Sequence, residues 1–422
     1  MEQWINDIFH LTGLDPQLWP QLRQNYGIES EKDFRSLIKK GIWQYIPKGG
    51  GKSGQGQIKR LLRLIEPIDG FLAFHAASFY AEQLIFQLKD LPQILNIEVT
   101  GSLGKGEVWH SDIDLLISCD EKVENIINVI THLPQISGII RREPGRAIFL
   151  HYRNFPIDIH FCPPGPEQLR KPLVLPWDLY SLKGDLHTHT DWSEGVHSLE
   201  EMALAAKEIG YEYLAICDHS WIHASAGGLS PKRLKEQIEA IRKLNDRLPG
   251  ITLLAGSEVD ITESGGLAYE ENLLKELDIV IASVHYLYGQ NCHELTERII
   301  KALETGMVDV LAHPTHQTVF SNTNNLHLDM ERVFKAASSV GTVMEINSFP
   351  DRNDLSADLV IRAKRYGLKM AINTDAHARE QLIFSRTGRA IALKAQLEEG
   401  DIINTLSLAD LQDFLKNRGK MV

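Results

Sequence analysis

The second half of the chain alternates short apolar runs with longer amphipathic segments. Each short run predicts a strand, and the segments between the runs have the length and the apolar face of helices. The predicted strands are GDLH, YEYLAICDH, ITLLAGSEVDI, LDIVIASVHY, VDVLAHP, GTVMEINSF and KMAINTDAH. Strands and helices in strict rotation are typical of parallel strands that close into a barrel. The pattern therefore predicts an α/β barrel in residues 181–422.

The ends of two predicted helices carry recognisable capping signals. Ser198 and Glu201 have the spacing of a capping box at the start of SLEEMALAAKEIG, and Gly210 is placed to end that helix. Ser230 followed by Pro231 is a favourable cap and first-turn pair for the next helix.

Nearly every predicted strand of this half ends in a side chain that binds metals. The C-terminal ends of parallel barrel strands meet at one mouth, so these side chains are expected to share one pocket. A single histidine at a strand end is more often a structural residue, but a polynuclear metal centre requires such repetition from strand to strand. The predicted ligands are His187, His189, Glu194, His219, Glu258, His285, His313, Asp375 and His377. The histidines interpreted as surface or local hydrogen-bonding residues are His151, His160, His197, His223, His293, His316 and His327.

The motifs at these strand ends resemble those of the polymerase-and-histidinol-phosphatase (PHP) domain over residues 181–422. The motifs form an ordered series: GDLHTHTDWSEG, LAICDHS, GSEVDI, ASVHY, LAHP, MEINS and NTDAH. The series is most similar to the PHP domain attached to bacterial family X DNA polymerases. The resemblance implies a distorted seven-stranded (β/α) barrel with a site for up to three manganese or zinc ions.

Carried over residue by residue, the resemblance implies three sets of ligands. The first and catalytic set is His187, His189, Glu258 and Asp375, the second is Glu258, His285 and His313, and the third is Glu194, His219 and His377. The family usually has Asp or His near position 194, so Glu194 departs from the pattern of the third set. Glu345 and Asn347 match motif positions that support the ligands through hydrogen bonds.

A cluster of imidazoles and carboxylates of this kind indicates cleavage of phosphate esters. Adjacent cations activate water near neutral pH and stabilise charge on the phosphate oxygens. Imidazole ligands suit manganese or zinc better than magnesium, which prefers oxygen. The four cysteines are far apart and are expected to be reduced thiols, so the sequence predicts a metal-dependent phosphoesterase rather than a thiol or serine enzyme.

A second constellation lies in VTGSLGKGEVWHSDIDLLIS. Gly101 and Ser102 form a tight polar turn, and Asp112 and Asp114 place two carboxylates on one face of a strand. Asp158 supplies a third acid on another predicted strand. Such carboxylates can hold Mg²⁺ against a nucleotide, although acids on the wet face of a sheet are a common alternative.

These residues resemble the palm of the polymerase beta nucleotidyltransferase superfamily, which predicts a reduced α+β palm domain in residues 67–180. Residues 1–66 then resemble the small helical fingers domain of family X polymerases. The lyase-like domain and the thumb are expected to be missing, and Gly104 stands where the family tends to have a basic residue. We expect templated polymerisation to be lost, with Mg²⁺ binding still open at the carboxylates.

Residues 34–65 contain eight basic residues and no acidic residue. The stretches LTGLDPQLWPQL and IPKGGGKSGQGQI resemble helix-hairpin-helix elements, which offer amides to a DNA backbone without reading bases. The candidate DNA-binding residues are Lys48, Lys52, Lys59 and Arg60. A solvated basic face is the alternative, and a P-loop is rejected because Ile46 stands where its first glycine is required.

Composition narrows the choice of function. The net charge is −12, and most of the excess acid lies in residues 181–422. The sequence shows no apolar stretch that predicts a membrane span and no signal peptide, so we expect a cytoplasmic protein. The leading prediction is a 3′-5′ exonuclease of DNA repair that also removes 3′ phosphates or acts at abasic sites. The alternatives are an active nucleotidyltransferase, a phosphatase for a small ester such as histidinol phosphate, and a catalytically inert DNA-binding module.

Overall fold

The computed structural model describes residues 2–46, 51–119, 123–164, 175–320 and 328–417, with only the backbone described at 51–53. The chain forms two compact units. The first is Met1–Ser36 with Ile58–Leu179, and the second is Leu37–Gln57 with Tyr180–Val422. The division into domains at residues 66 and 180 stays a prediction.

The first part of the chain is helical and leads into a mixed sheet. Its helices are α1 (Gln3–Thr12), α2 (Leu18–Tyr26), α3 (Glu31–Lys39), α4 (Gly51–Leu61), α5 (Phe74–Leu88), α6 (Gly101–Gly104) and α7 (Val123–Thr131). Its strands are β1 (Leu72–Ala73), β2 (Ile94–Val99), β3 (Trp109–His110), β4 (Ile113–Cys119), β5 (Ile136–Glu143), β6 (Arg146–His151) and β7 (Pro156–Cys162). Five of these strands form a sheet in the order β2-β4-β7-β6-β5, in which only β4 and β7 are parallel neighbours. This mixed architecture agrees with the predicted α+β palm.

A buried ion pair joins the helices and the sheet within the first unit. Asp7 on α1 is fully buried, and its carboxylate lies 3.2 Å from Nε of Arg153, which follows β6. The hydroxyl of Tyr152 donates to the same carboxylate, and Arg153 also pairs with Glu31 at 3.3 Å. A buried charge is costly unless it is paired, so these contacts fix α1 on the sheet.

The second unit is a parallel barrel. Its strands are β8 (Gly184–Thr188), β9 (Tyr213–Ile216), β10 (Thr252–Asp260), β11 (Ile279–Ser283), β12 (Val310–Leu311), β13 (Val343–Asn347) and β14 (Met370–Asn373), hydrogen-bonded in chain order. Its helices are α8 (Leu199–Glu208), α9 (Pro231–Asn245), α10 (Glu271–Leu274), α11 (Cys292–Glu304), α12 (Met330–Val340), α13 (Ala357–Arg365), α14 (Ser385–Lys394) and α15 (Leu408–Asn417). Short 3-10 helices lie at Ile42–Tyr45, Pro176–Asp178, Ala224–Ala226, Arg379–Phe384, Glu399–Asp401 and Ile403–Thr405. The predicted (β/α)7 architecture is confirmed.

The capping signals predicted from the sequence operate as expected. The Ser198 hydroxyl accepts from the Glu201 amide at 3.3 Å, and the Glu201 carboxylate accepts from the Ser198 amide at 2.9 Å. Ser230 caps α9, with Pro231 as the first helical residue. Among the described residues, no helix has both the length and the apolar character needed to cross a bilayer.

The first and last strands of the barrel approach each other at their C-terminal ends. The Asp375 amide donates to the His187 carbonyl at 3.0 Å, and the His189 amide donates to the Ala376 carbonyl at 2.8 Å. At the other end, the buried side chain of Asn404 donates to the carbonyls of Gly184 at 3.1 Å and Ile372 at 2.9 Å. Backbone bonds at one end and one amide side chain at the other therefore bring β8 and β14 together.

Apolar side chains pack on both the inner and the outer side of the barrel strands. The barrel interior contains Leu186, Tyr213, Ile281 and Ala371, and residues of α15 such as Leu411 pack against this cluster. The larger layer lies between the strands and the surrounding helices. The four cysteines are free thiols, as predicted. The barrel therefore has a filled interior.

We predict that Asn404→Ala lowers the free energy of unfolding by about 2–4 kcal/mol, because it leaves buried backbone groups of two strands without partners. Urea unfolding followed by circular dichroism measures the change. The control is Asn417→Ala, which removes an exposed asparagine from α15. Equal stability of the two variants would contradict the role assigned to Asn404.

Candidate metal centre

The predicted ligands converge at the C-terminal end of the barrel. His187 lies on β8 and Glu258 on β10, and the others follow strands. They come together because neighbouring strands are parallel and in register, as in the pairing of Glu258 with Ile281. Three groups of donor atoms result. Within each group, all donor atoms lie within 4.8 Å of one another. The first group is His187, His189 and Asp375, the second is Glu258, His285 and His313, and the third is His189, His219 and His377.

The first group is the deepest. The Nε2 atoms of His187 and His189 lie 3.2 Å apart, and His189 Nε2 lies 3.1 Å from Asp375 Oδ1. Glu258 Oε2 lies 3.6 Å from His187 Nε2 and 3.7 Å from His189 Nε2. Four side chains from three strand ends thus surround one point, with both histidines fully buried.

Glu258 also belongs to the second group. Its Oε1 atom lies 3.0 Å from His313 Nε2 and 3.2 Å from His285 Nε2. Its two oxygens therefore face different sets of imidazoles. Glu258 would thus hold cations in both groups, as the resemblance to the family implies.

Glu194 adjoins two histidines of the third group. Its Oε1 atom lies 3.1 Å from both His219 Nε2 and His377 Nε2. The longer carboxylate, which departs from the family pattern, therefore still reaches both imidazoles. His219 Nδ1 lies 2.8 Å from Glu258 Oε2, so the third group adjoins the other two.

Electrostatics in the centre are dominated by the pairing of buried acids with imidazoles. Burial, the largest influence on each group, disfavours charge. His285 and His219 nevertheless hold the pKa of Glu258 well below its usual range. Glu258 and Glu194 raise the pKa of His219 to about 10. Glu258 and Asp260 raise the pKa of His285 to about 9. Without a metal, these two imidazoles carry protons at neutral pH.

The residues fit divalent cations. Glu258 Oε2 and His219 Nδ1 are buried and have no hydrogen-bond partner among the described residues, because their 2.8 Å contact lacks hydrogen-bond geometry. A cation satisfies such donor atoms. His313 and Asp375 also adopt left-handed φ values of 26° and 54°. Strained backbone at these positions is typical of a functional site. The mixture of imidazole and carboxylate suits manganese, zinc or iron.

Glu345 on β13 organises the first group from behind. Its Oε1 atom lies 2.8 Å from His187 Nδ1 and accepts from Asn373 at 2.9 Å. Its Oε2 atom accepts from the His313 amide at 3.1 Å and from Asn347 at 3.2 Å. Glu345 thereby fixes the ring of His187 with Nε2 toward the centre, which agrees with the supporting role expected for this motif.

Two neighbours of the centre were not anticipated. Asp260 Oδ1 lies 2.8 Å from His285 Nδ1 and orients that ring. His223 was interpreted as a local hydrogen-bonding residue, but its ring stacks on His285 with centroids 4.2 Å apart and with His219 completes a further group of donor atoms. Asp260 is the last residue of β10, two residues after Glu258, so its position at a strand end was a signal in the sequence. His223 lies in the loop after β9, where no strand-end pattern indicates it.

The carboxylates of the first unit are arranged differently. Asp114 on β4 pairs in register with Asp158 on β7, and Asp112 precedes β4. The Arg146 guanidinium donates to both oxygens of Asp158, with its Nε atom at 3.0 Å and 3.2 Å. The third acid of the predicted palm is therefore already neutralised by an arginine.

The glycine of the predicted nucleotide-binding turn is structurally required. Gly101 has a φ of 61°, and a Cβ atom there would lie 1.8 Å from Asp114 Oδ2. The hydroxyl of Ser102 lies 2.9 Å from His110 Nδ1. The turn thus packs directly against one carboxylate, while its serine is engaged by a histidine.

The predicted DNA-binding residues are only partly described. Lys59 and Arg60 lie exposed in the last turn of α4. Lys48 and the side chain of Lys52 lie outside the described residues. In the first predicted hairpin, α1 ends at Thr12 with Gly13 as its C-cap at φ 60°, and α2 begins at Leu18. The assignment of this segment as a DNA-binding helix-hairpin-helix stays a prediction.

The chain is similar to several known proteins. A family model of the PHP domain matches residues 185–349. The chain is 38% identical to the DNA polymerase/3′-5′ exonuclease PolX of Bacillus subtilis over 239 residues, which are 57% of this chain and 42% of PolX. The chain thus spans less than half the length of that relative. It is 30% identical to a "probable phosphatase" of Acetivibrio thermocellus over 252 residues, which are 56% of this chain and 97% of that protein.

A solved structure is also similar in part. It is histidinol phosphate phosphatase from Lactococcus lactis, complexed with zinc, L-histidinol and phosphate. Its sequence identity is 17% and its TM-score is 0.38, and the match covers 51% of this chain and 94% of that chain.

We predict that metal binding releases protons at pH 7. A metal ligand must be an unprotonated imidazole, whereas the pKa values of His219 and His285 in the metal-free protein are about 10 and about 9. Affinity for Mn²⁺ or Zn²⁺ is therefore expected to rise between pH 7 and pH 9. Titration calorimetry in buffers of different ionisation enthalpy counts the protons that are released.

The variant His219→Gln should lower the number of released protons by about one. The control His293→Gln, which changes an exposed histidine, should leave that number unchanged. An unchanged count for His219→Gln would contradict the prediction.

We predict that Glu345→Gln weakens metal binding by about 10- to 100-fold, because the neutral amide no longer polarises His187. Competition with a chromogenic chelator measures the dissociation constant. Glu331→Gln, which changes a surface carboxylate paired with Arg362, is the matched control. Equal affinities of the two variants would show that Glu345 does not position the ligand.

Proposed function

The chain belongs to the PHP family of metal-dependent phosphoesterases, and from that premise we propose that it acts on DNA as a 3′-5′ exonuclease. The proposed cofactors are manganese or zinc ions, up to three in number. The proposed ligands are those of the three groups at the barrel mouth. A role in DNA repair, including removal of 3′ phosphates or cleavage at abasic sites, is part of the same proposal.

The position of Glu258 is the observation that carries the proposal. One carboxylate that adjoins all three groups of donor atoms supports adjacent cations rather than one isolated ion. When bound, such ions supply an activated water at neutral pH and positive charge for the phosphate oxygens. A phosphate ester is the substrate that makes use of both.

The side chains of the centre differ in burial, which indicates the side from which a substrate enters. His187 and His189 are fully buried and form the floor of the centre, and Glu345 holds the ring of His187 from behind. His285 and Glu194 are more exposed, at 13% and 17% of their side-chain surface. The phosphate is therefore proposed to enter from the side of His285 and Glu194, while the floor excludes water from the ligands of the first group.

DNA is favoured over a small ester by two features. The basic residues Lys59 and Arg60 are exposed on α4, next to a sequence that resembles a helix-hairpin-helix element. The relative in Bacillus subtilis is named as a DNA polymerase and 3′-5′ exonuclease. The relative in Acetivibrio thermocellus is named as a phosphatase, so a small phosphomonoester is the alternative substrate.

Nucleotidyl transfer by the first unit is disfavoured by one contact. Paired magnesium ions need free carboxylate oxygens. The guanidinium of Arg146 occupies both oxygens of Asp158, which leaves Asp112 and Asp114 as the remaining acids of the palm. We therefore assign the phosphoesterase activity to the barrel alone.

The proposal is tested with end-labelled single-stranded DNA in the presence of Mn²⁺. His189→Ala removes a ligand from the floor of the centre and is expected to lower the rate of degradation by more than about 100-fold, since loss of even a ligand's supporting partner costs about 10- to 100-fold. Gel electrophoresis of the products shows whether nucleotides leave one at a time from the 3′ end.

His293→Ala is the matched control, because His293 is an exposed histidine of α11. It should degrade DNA as the unchanged protein does. Equal degradation by the unchanged protein and the His189→Ala variant would rule the proposal out. Hydrolysis of histidinol phosphate with no attack on DNA would favour the alternative substrate.

A further inference from the structure

Large exposed side chains lie in the loops beside the more open side of the metal centre. Trp221 is 50% exposed, Leu287 is 44% exposed and Tyr288 is 45% exposed. Trp221 follows β9, two residues after His219, and Tyr288 follows β11, three residues after His285. Exposed aromatic side chains next to a catalytic centre indicate a surface for an apolar part of the substrate.

The Trp221 ring is held in place rather than free to turn. Its Nε1 atom donates to the Ala268 carbonyl at 2.7 Å. The Ala268 amide in turn donates to the Asp260 carbonyl at 3.0 Å, and the carboxylate of Asp260 orients His285. Trp221 is therefore tied to the same segment of backbone that positions a predicted metal ligand.

The Tyr288 ring is held by a buried arginine. The Arg298 guanidinium lies 4.9 Å from the centroid of this ring. Arg298 itself is fixed by hydrogen bonds to the carbonyls of Thr262 at 2.8 Å and Tyr286 at 2.6 Å. Tyr288 also adopts a φ of 51°, which is uncommon for a residue with a side chain. The ring is thus exposed but well positioned.

A series of rings connects Tyr288 with the centre. His223 stacks on His285 at a centroid distance of 4.2 Å and an interplanar angle of 2°. The His223 Nδ1 atom lies 3.2 Å from the Tyr286 hydroxyl, and the Tyr286 and Tyr288 rings are 6.1 Å apart. The aromatic surface is therefore continuous with the metal centre.

We propose that Trp221, Tyr286 and Tyr288 form a stacking platform for the unpaired bases of a single-stranded nucleic acid whose phosphate occupies the metal centre. This inference rests on the proposed function and specifies its substrate. Most of the excess acid of the chain lies in residues 181–422, so charge does not hold a polyanion over this surface. Stacking on aromatic rings binds bases irrespective of sequence and without a positive charge.

The platform makes a prediction about the substrate as well as the protein. A single strand with bases should bind more tightly than the same strand whose residues at the 3′ end lack bases, because both carry the same phosphates. The preference should be about 10-fold in the dissociation constant, within the range of stacking measured for other proteins. Paired bases cannot stack in this way, so a blunt duplex should bind more weakly than the single strand.

The experiment compares two fluorescently labelled deoxythymidine oligonucleotides, one complete and one abasic at its 3′ end, both with phosphorothioate linkages that resist hydrolysis. Fluorescence anisotropy measures their dissociation constants for the full chain loaded with Mn²⁺. The Trp221→Ala/Tyr288→Ala variant is expected to lose the preference for bases and to bind both oligonucleotides equally. Tyr288→Phe keeps the ring and should retain the preference.

Tyr366→Ala is the control for the loss of an exposed aromatic ring. Tyr366 is 36% exposed and caps the C-terminus of α13, which leads back to the start of β14 and hence to the opposite end of the barrel. This variant should keep the preference for bases. Circular dichroism shows whether each variant is folded.

The platform is overturned if the unchanged protein binds both oligonucleotides equally, or if the double variant keeps the preference. Failure of the proposed function has a different signature. In that case ordinary single-stranded DNA survives incubation with the unchanged protein, while the anisotropy measurement still decides whether the rings bind bases.

Discussion

The arrangement of the barrel depends on the burial of one carboxylate among imidazoles. Glu258 is only 1% exposed, and its oxygens lie between 2.8 and 3.7 Å from histidine nitrogens that follow or belong to four other strands. A buried charge of this kind is costly unless opposite charge surrounds it. The imidazoles reach Glu258 from strands on both sides of β10. Asp375 joins His187 and His189 because the C-terminal ends of β8 and β14 meet. Closure of the barrel therefore also completes the first group.

The sequence predicts those features of the structure that depend on residues close together along the chain. The barrel strands, the cap at Ser198 and the meeting of the candidate ligands at the strand ends could be predicted because each depends on periodicity or on a spacing of a few residues. The contacts that could not be predicted join distant residues. Asn404 bridges two strands from beyond the last one, His223 reaches the centre from a loop, and the pairing of Arg146 with Asp158 depends on two strands being neighbours. None of these leaves a local pattern.

The two units differ in the groups that neutralise their clustered acids. In the first unit, Arg146 neutralises Asp158 with a charge that is permanent at any physiological pH. In the barrel, the acids are paired with His219 and His285, which would give up their protons to a bound cation. An imidazole can exchange its proton for a metal ion, whereas a guanidinium cannot. The chemistry of the counter-charge, rather than the number of acids, thus distinguishes a centre ready for metals from a sheet that is already neutral.

The exchange of protons for cations also explains how the acidic barrel unit could bind a polyanion. The proposed divalent ions at Glu258, Asp375 and Glu194 would reverse the local charge at the barrel mouth, while the acidic residues elsewhere would continue to repel phosphates. For the proposed DNA substrate, attraction would be confined to the scissile phosphate, and the rest of the strand would need contacts that do not depend on charge. The proposed stacking platform would provide such contacts, since a hydrogen bond holds Trp221 and the guanidinium of Arg298 lies over the Tyr288 ring. Rings that are already positioned lose little conformational entropy on binding, so a modest stacking surface can complement a strong but very local electrostatic site.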